Sequence, residues 1–398
     1  MTHNAPVAIV GMGCICSAGL TLEECMQTLY RGERHPAPPT CFAFDYPFSF
    51  PVFEIREDFF PAAEFQNTTR LRTSRLALAA TLQACADAGL PRDALQKTRS
   101  GVCIGTNVGS AMNNEAFYRE NPEGCDPFIS PLERFLSSNP TCNVAAEFNI
   151  GGPCQTVVNA CSAGSDALGI AASWINTGLC QAVIAGGADE LYQVTYTGFK
   201  SLFIHDDAPC KPFDVDRKGL NLGEGAAMFL LMSNRLLHQM HLRPRGYVLG
   251  YGSASDAHHF TKPRPDGKGL EIAINEALAT AAADPSEIAF INAHGTGTRD
   301  NDLIESVVLK EIFPGIPFLS TKGYTGHTLG ASGAIEAAFT LACLENGRIP
   351  ATIGCTVPDP ELPAAPVRAE TTTSGRVALS QTLAFGGSNA VLILGTGA

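Results

Sequence analysis

The sequence predicts a layered α/β fold built from two similar halves. Three observations carry that expectation. Short runs rich in Val, Ile or Cys alternate with Ala/Leu-rich stretches along the whole chain, the pattern of helices covering sheets. A strand that runs into glycines, VAIVGMG at residues 7–13, has a counterpart in VLGYGS at residues 248–253. The order of elements restarts near Arg245, so the expected halves are 1–245 and 246–398.

In chain order, the strand Pro6–Gly11 leads to the helix Leu20–Tyr30. Residues 35–65 are irregular, with Pro and Phe scattered through them, and read as a surface excursion that caps the fold or meets a partner. The helix Ser74–Ala88 (SRLALAATLQACADA) is followed by strands Ser100–Gly105 and Gln155–Asn159. A helix of small residues, Ser165–Thr177, precedes strands Ala182–Gly187 (AVIAGG) and Ala226–Met232 (AAMFLLM). The second half then begins with strand Gly246–Gly252 and helix Leu270–Ala282. Strand Ile288–Ala293, helix Asp300–Ile312, strand Pro317–Ser320 and helix Ala331–Asn346 follow, and strands Val377–Leu383 and Ala390–Gly395 close the chain.

A chain of 398 residues that is 45% hydrophobic suffices for a large core, and a charged fraction of only 17% fits a compact enzyme rather than a disordered chain. The net charge of −12, the isoelectric point near 5.2 and the lack of any Lys/Arg-rich run exclude nucleic acid as a partner. Cysteines such as Cys14, Cys16, Cys85, Cys103, Cys180 and Cys343 lie scattered through apolar segments, and read as reduced core residues of a cytoplasmic protein. No CxxC pair occurs, which argues against structural zinc. Residues 6–19 lack a basic leader and no 18-residue apolar run exists, so neither a signal peptide nor a membrane span is expected.

Four segments carry the chemistry. In VVNACSAGSDALG (residues 157–169) a β-type run ends at Cys161 and a small-residue helix begins. A thiol at a helix N-terminus is favoured as thiolate and is a candidate nucleophile with room for a substrate. In NAHGTGTRDNDLIES (292–306) a strand ends at His294, followed by a loop whose Thr296 and Thr298 offer hydroxyls to a polar ligand. Asp302 and Glu305, one helical turn apart, either form a buried network that holds this loop or cap and solvate the helix. In STKGYTGHTLGASGAIE (320–336) Lys322 follows an apolar strand with no other charge before Glu336, which suggests a buried ammonium that tunes a neighbour such as His327. The loop AFGGSN (384–389) is either a plain hairpin turn or a source of backbone amides for an oxyanion hole.

Taken together, and with CKPFDVDRKGLNLGEGAAMFLL (210–231) and GYGSASDAHHFTKPRPDG (250–267), these segments resemble the elongating β-ketoacyl–acyl-carrier-protein synthases of the thiolase superfamily nearly end to end. The resemblance implies a five-layer αβαβα sandwich of two related halves, usually dimeric. It implies that Cys161 takes an acyl group as a thioester, and that His294 and His327 promote malonyl decarboxylation. Lys322 would set the electrostatics around His327, and Glu305 would order local water. Backbone amides of Cys161 and Phe385 would form the oxyanion hole, with Phe385 as a gate. Thr296 and Thr298 would meet the phosphopantetheine arm, and Val108 and Phe199 would line the acyl pocket. The implied partner is acyl carrier protein, which delivers the substrates, so no separate cofactor and no metal are expected. Because the carrier is acidic and so is this chain, docking needs a basic patch; Arg72, with Arg70 and Arg75, is the candidate, against a reading as ordinary solvated arginines.

Asn159 stands where many relatives have Thr, Gly323 and Tyr324 follow Lys322, and Leu383–Ala384 replace part of a glycine loop. These departures make the chain similar to synthases of specialised pathways, aryl-polyene and type II polyketide among them, as well as to those of fatty-acid elongation. Such systems pair a synthase with a ketosynthase-like chain-length factor, so homodimer and heterodimer both stay open. A thiolase would need a late second cysteine, which AFGGSN lacks; an initiating synthase would have Asn at His327; a silent chain-length factor typically lacks the nucleophile. A zinc site at His258 and His259 has poor ligand spacing.

Overall fold

The computed structural model describes residues 5–42, 49–61, 70–107, 109 and 138–397. The elements are β1 (Val7–Cys16), α1 (Leu22–Arg31), α2 (Arg72–Asp87), β2 (Ser100–Gly105), α3 (Pro140–Glu147), β3 (Cys154–Val157), α4 (Ala163–Asn176), β4 (Ala182–Asp189), α5 (Gln193–Ser201) and β5 (Gly225–Met232). They continue with β6 (Gly246–Ser255), α6 (Lys268–Ala281), β7 (Ile288–Asn292), α7 (Arg299–Ile312), β8 (Phe318–Leu319), α8 (Ser332–Asn346), β9 (Val377–Leu383) and β10 (Ser388–Thr396).

Strand order is β3-β2-β4-β5-β1-β6-β10-β9-β7-β8. Outward from the centre, β1–β5, β5–β4, β4–β2 and β2–β3 pair antiparallel, antiparallel, parallel and parallel. The series β6–β10, β10–β9, β9–β7 and β7–β8 repeats that sequence of pairings. Among the described residues the two half-sheets pair with each other only where Val7–Ile9 meet Gly246–Val248, so they share one short seam.

Three apolar clusters fill the spaces between five layers. One lies between α2/α3 and the first half-sheet, one surrounds the central pair α4 and α8, and one lies between the second half-sheet and α6/α7. Strand alternation sends neighbouring residues to different clusters: Met228, Leu230 and Met232 face outward while Ala227, Phe229 and Leu231 face the central helices. The repeated glycines have one cause. A Cβ on Gly11 or Gly13 would lie 2.0 or 2.1 Å from a carbonyl oxygen of α2, and one on Gly250 or Gly252 would lie 2.2 or 2.1 Å from a carbonyl oxygen of α6. Each half therefore seats a helix directly on the backbone of its leading strand.

The described part of residues 35–65 is only in part a surface excursion: His35, Pro38, Thr40, Cys41 and residues 56–58 are exposed, but the stretch also enters the core. Val52, Phe53 and Ile55 are buried, and Phe53 pairs with Gly223 next to the loop that holds His327. Among the described residues, no helix is long and apolar enough to cross a membrane, and the thirteen described cysteines are all unpaired.

Candidate active site

Cys161 sits one residue ahead of the Ser162 cap of α4, after Ala160, whose left-handed φ of 47° makes the sharp turn that presents the sulfur. A polar clamp holds that turn. Asp166 accepts from the Ser162 hydroxyl (2.8 Å), the Asn159 amide (2.6 Å) and the Tyr251 hydroxyl (2.8 Å), and Asn159 in turn accepts from the Ser388 hydroxyl (2.9 Å). Asn159, a departure in sequence, thus ties the nucleophile turn to the 384–389 loop. Gly164 and Gly330 bring the central helices together, since a Cβ on Gly164 would meet the Gly330 carbonyl at 2.8 Å.

His294 leaves the end of β7 in a loop organised by Glu305. That buried carboxylate accepts from the backbone N–H of His294 (2.7 Å) and Gly295 (2.6 Å), and from the side chains of Gln381 (2.8 Å) and Asn301 (2.8 Å). Asp302 accepts from the N–H of Phe213 (2.7 Å) and Gly297 (3.2 Å), so both acids form the buried network and neither serves as a solvated cap. His327 comes from the same half, in the loop between β8 and α8. Its N–H donates to the Asn221 carbonyl (2.8 Å) and its carbonyl accepts from Gly223 (3.0 Å). Gly326 precedes it with a φ of 65°, where a Cβ would press on Phe53 and Leu222.

These elements converge. One sulfur and two ring nitrogens, from Cys161, His294 and His327, all lie within 4.8 Å of one another, and the two imidazoles meet edge to face at 5.2 Å. Lys322 donates to Nδ1 of His294 (3.0 Å), and the Leu329 N–H donates to Nδ1 of His327 (3.1 Å). An imidazole nitrogen that accepts carries no proton, so in each ring the proton sits on Nε2. Burial, with the Lys322 charge beside it, holds both imidazoles well below the ordinary histidine range, so both are neutral N–H donors.

The thiol departs from expectation. Burial pushes Cys161 up to about 11, against the opposing pull of the Phe385 N–H, the Lys322 ammonium and its own N–H. Desolvation outweighs the helix terminus, and the resting group is a thiol. Alkylation of Cys161 by iodoacetamide is therefore expected to quicken about tenfold per pH unit from neutrality toward pH of about 9. A plateau below about pH 8 in that rate profile would contradict this reading.

A cleft of about 390 Å³ reaches the thiol. Its walls include Phe199, Thr296, Thr298 and Phe385; the two threonine hydroxyls lie 2.8 Å apart, and the Phe199 ring stacks on Phe385 at 5.4 Å. Lys218, Lys262 and Arg299 stand at its edge. The 384–389 loop is both a hairpin turn between β9 and β10 and the source of the Phe385 N–H against the sulfur. Val108 lies outside the described residues.

Arg72 is placed elsewhere. Its guanidinium grips the fully buried Glu224 through two hydrogen bonds (2.7 and 2.6 Å), donates to the Ile55 carbonyl (2.8 Å) and lies over the Phe59 ring. Arg70 is likewise paired, with Glu147 at 2.9 Å. Arg72 is a structural residue, not a docking cation, because its Nε and one terminal nitrogen are spent on a buried carboxylate that no other cation meets among the described residues. Arg72→Ala is expected to cost about 3 kcal/mol of stability by stranding Glu224, with melting temperature as the measurement. An unchanged melting temperature would contradict it.

Glu336 is the residue that sequence reading passed over. It is buried on α8, bonded to the Lys322 ammonium and to the Ser332 hydroxyl (3.1 Å). An acid within a run otherwise made of small and apolar residues (SGAIEAAF) was the available signal. Lys322 thus touches His294 directly and reaches His327 only through space, the reverse of the expected emphasis. Glu305 binds backbone amides and acts by positioning His294.

Residues 4–236 match the model for the β-ketoacyl synthase N-terminal domain and residues 245–356 that for the β-ketoacyl synthase C-terminal domain. The chain is 34% identical over 410 residues to a 3-oxoacyl-[acyl-carrier-protein] synthase 2 of Synechocystis sp., covering 97% of each. Among solved structures it is similar to the ishigamide ketosynthase/chain length factor, with a TM-score of 0.92, 31% identity and coverage of 99% of this chain and 100% of that one. It is also similar to the ketosynthase ApeO, solved with its chain length factor ApeC from Xenorhabdus doucetiae (TM-score 0.84, 30% identity, 98% of both chains). The family matches cover both halves of the chain, and the protein belongs to the β-ketoacyl synthase family.

Proposed function

We propose that the protein is a decarboxylative condensing enzyme that extends an acyl chain by two carbons on acyl carrier protein. The observation that carries this reading is the convergence of the Cys161 sulfur with two neutral imidazoles whose Nδ1 atoms are both occupied as acceptors.

In the first step the Cys161 sulfur attacks the acyl thioester. The new Cys161 thioester forms, the bond to the pantetheine sulfur breaks, and the proton of Cys161 passes to that departing thiolate. The carbonyl oxygen gains charge beside the N–H groups of Cys161 and Phe385. In the second step malonyl carrier protein loses carbon dioxide, and the enolate oxygen is held by Nε2–H of His294 and His327. The carbanion then attacks the Cys161 thioester, the tetrahedral oxygen returns to the two amides, and the sulfur leaves and takes up a proton. Two oxyanions thus have separate donor pairs, and each pair is fixed before the charge develops.

In this reading the Thr296 and Thr298 hydroxyls accompany the pantetheine arm and Phe199 with Phe385 closes on the acyl chain, which is supported by their shared position on the cleft wall. Lys218, Lys262 and Arg299 at the mouth take the docking role that Arg72 does not fill. A second ketosynthase-like subunit pairs along β3, an edge strand with no further neighbour among the described residues. Cys154 and Gln155 on it are exposed, and Val158 just beyond it is 66% exposed. The ApeO–ApeC complex is a likeness that favours a distinct second subunit.

The test is a complete reaction with malonyl carrier protein and a panel of acyl donors, saturated, polyene and aromatic, run with and without a candidate second subunit. A 3-oxoacyl product two carbons longer, with one carbon dioxide per turnover, is expected for at least one donor. Carrier-bound product absent under every combination would overturn the proposal.

A further inference from the structure

We propose that Asn159 is a positioning residue for acyl transfer: through Ser388 it holds the Phe385 N–H against the Cys161 sulfur, and it has no part in decarboxylation. The inference rests on the condensing reaction proposed above. It gives a task to the residue at which the nucleophile segment departs from many relatives.

The 384–389 loop needs a hold from outside. Gly386 and Gly387 both take left-handed φ values, 84° and 82°, where glycine is the least restrained of residues. Ala384 donates to the Ser388 carbonyl (2.7 Å), Gly387 to the Ala384 carbonyl (3.0 Å) and Gly386 to the Phe260 carbonyl (2.8 Å), while the Gly387 carbonyl accepts from the Asp256 N–H (2.7 Å). These bonds shape the loop and tie it to residues 256–260, all in the second half of the chain. The Phe385 N–H is turned instead to the sulfur of Cys161, which stands in the first half.

Asn159 supplies a bond across that gap. Its side-chain carbonyl accepts from the Ser388 hydroxyl (2.9 Å), and its side-chain amide donates to Asp166 (2.6 Å). One planar group thus offers an acceptor to the loop and a donor to the nucleophile helix. Ser388 is where the loop rejoins β10, three residues after Phe385, and Asn159 is two residues before Cys161. The partners are 229 positions apart in the chain. Asp166 keeps the Asn159 amide from turning away. It is buried in the first turn of α4 and is itself held by the Tyr251 hydroxyl of β6 (2.8 Å).

A polar pair can also meet at a half-buried place with no bearing on the reaction, and the position of this one separates the two cases. It bridges the two segments whose amides receive the acyl oxyanion, with Cys161 on one side and Phe385 on the other. A shift of about 1 Å between them costs about 10²-fold in a transition state that needs both donors. The enolate donors are held differently. His294 and His327 are fixed by Lys322, the Leu329 N–H and Glu305, and none of these hydrogen bonds involves Asn159 or Ser388.

The experiment compares full-length wild type, Asn159→Ala, Ser388→Ala and the double variant. Acylation of Cys161 from an acyl carrier protein, followed by intact mass, should slow by about 10- to 100-fold in each single variant. Ser388→Ala should add less than about twofold in the Asn159→Ala background, because both remove one contact. Carbon dioxide release from malonyl carrier protein should stay within about twofold of wild type. Alkylation of Cys161 by iodoacetamide at pH of about 8 needs no carrier, and should slow by about 2- to 10-fold, the worth of one hydrogen bond to the sulfur. A loop that is merely loosened would admit the reagent and quicken alkylation instead. Ser388→Ala, which removes one oxygen, decides the matter alone if Asn159→Ala fails to fold. Wild type that neither accepts an acyl group nor releases carbon dioxide would sink the condensing reaction, and the alkylation rates would still judge the Asn159–Ser388 tie. Decarboxylation that falls in step with acylation, multiplied losses in the double variant, or faster alkylation would each overturn the proposal.

Discussion

Cys161→Ala is expected to lose condensation by about 10⁴-fold or more while still releasing carbon dioxide from malonyl carrier protein within about tenfold of the wild-type rate. The two oxyanions of the reaction are served by different groups. Removing the sulfur abolishes the acyl-enzyme but leaves the Nε2–H donors of His294 and His327, each fixed by its own Nδ1 partner. His294→Ala and His327→Ala should show the opposite split. Each loses about 10²–10³-fold in decarboxylation, the usual cost of one oxyanion donor. Acyl transfer to Cys161, which relies on the N–H groups of Cys161 and Phe385, should stay within about tenfold of wild type. Labelled carbon dioxide release and the intact mass of the acyl-enzyme read the two halves separately. A histidine variant that loses acylation but keeps decarboxylation would show that the donors are wrongly assigned.

Lys322→Met should damage both stability and activity, and the two effects should separate. Among the described residues Lys322 is the only charged partner of the buried Glu336, so its loss strands a carboxylate, at a cost of about 3 kcal/mol near neutral pH. Burial already raises Glu336 above its ordinary range, and Lys322 pulls it back down. Without Lys322 the folded-state value rises further. A group raised on folding contributes stability below its unfolded value and loses it as pH climbs through the folded one, so this variant should unfold more easily at pH of about 8 than at about 5. Adding Glu336→Gln should restore most of the stability. It should not restore decarboxylation, expected about 10²-fold down, because Nδ1 of His294 still lacks its donor. Thermal unfolding at two pH values beside carbon dioxide release decides this. Full activity in the double variant would reduce Lys322 to a structural partner of Glu336.

Much of the architecture was legible because the signals were local. Each of the ten sheet strands was marked by a short apolar run. The glycines of VAIVGMG and VLGYGS, which suggested the restart, proved to be the places where α2 and α6 rest on strand backbone. His294, Lys322 and His327 were legible for a similar reason, each standing next to a glycine, and Cys161 because a strand-like run ends there and a helix of small residues begins. What failed depended on contacts distant in sequence. Arg72 looked free within its own helix, but its partner Glu224 is 152 positions away. Glu336 looked like one acid on a helix until the fold set it against Lys322. The Cys161 thiol was expected to ionise from its place at a helix end, and that reasoning omitted the desolvation imposed by the rest of the core. Residues 35–65 lacked periodicity because their described part is held by isolated bridges, Ala37 to Val52 and Phe53 to Gly223, instead of a regular element.

The central claim is that one sulfur carries the growing chain between two carrier-bound substrates. The direct measurement is a chase followed by intact-protein mass spectrometry. Wild-type protein is loaded from an acyl carrier protein, freed of donor, and mixed with malonyl carrier protein. The account predicts an acyl mass on wild type and none on Cys161→Ala. On the chase that mass should vanish from the enzyme and reappear on the carrier as a 3-oxoacyl chain two carbons longer. An acyl mass that persists through the chase, or one that Cys161→Ala also acquires, would contradict it.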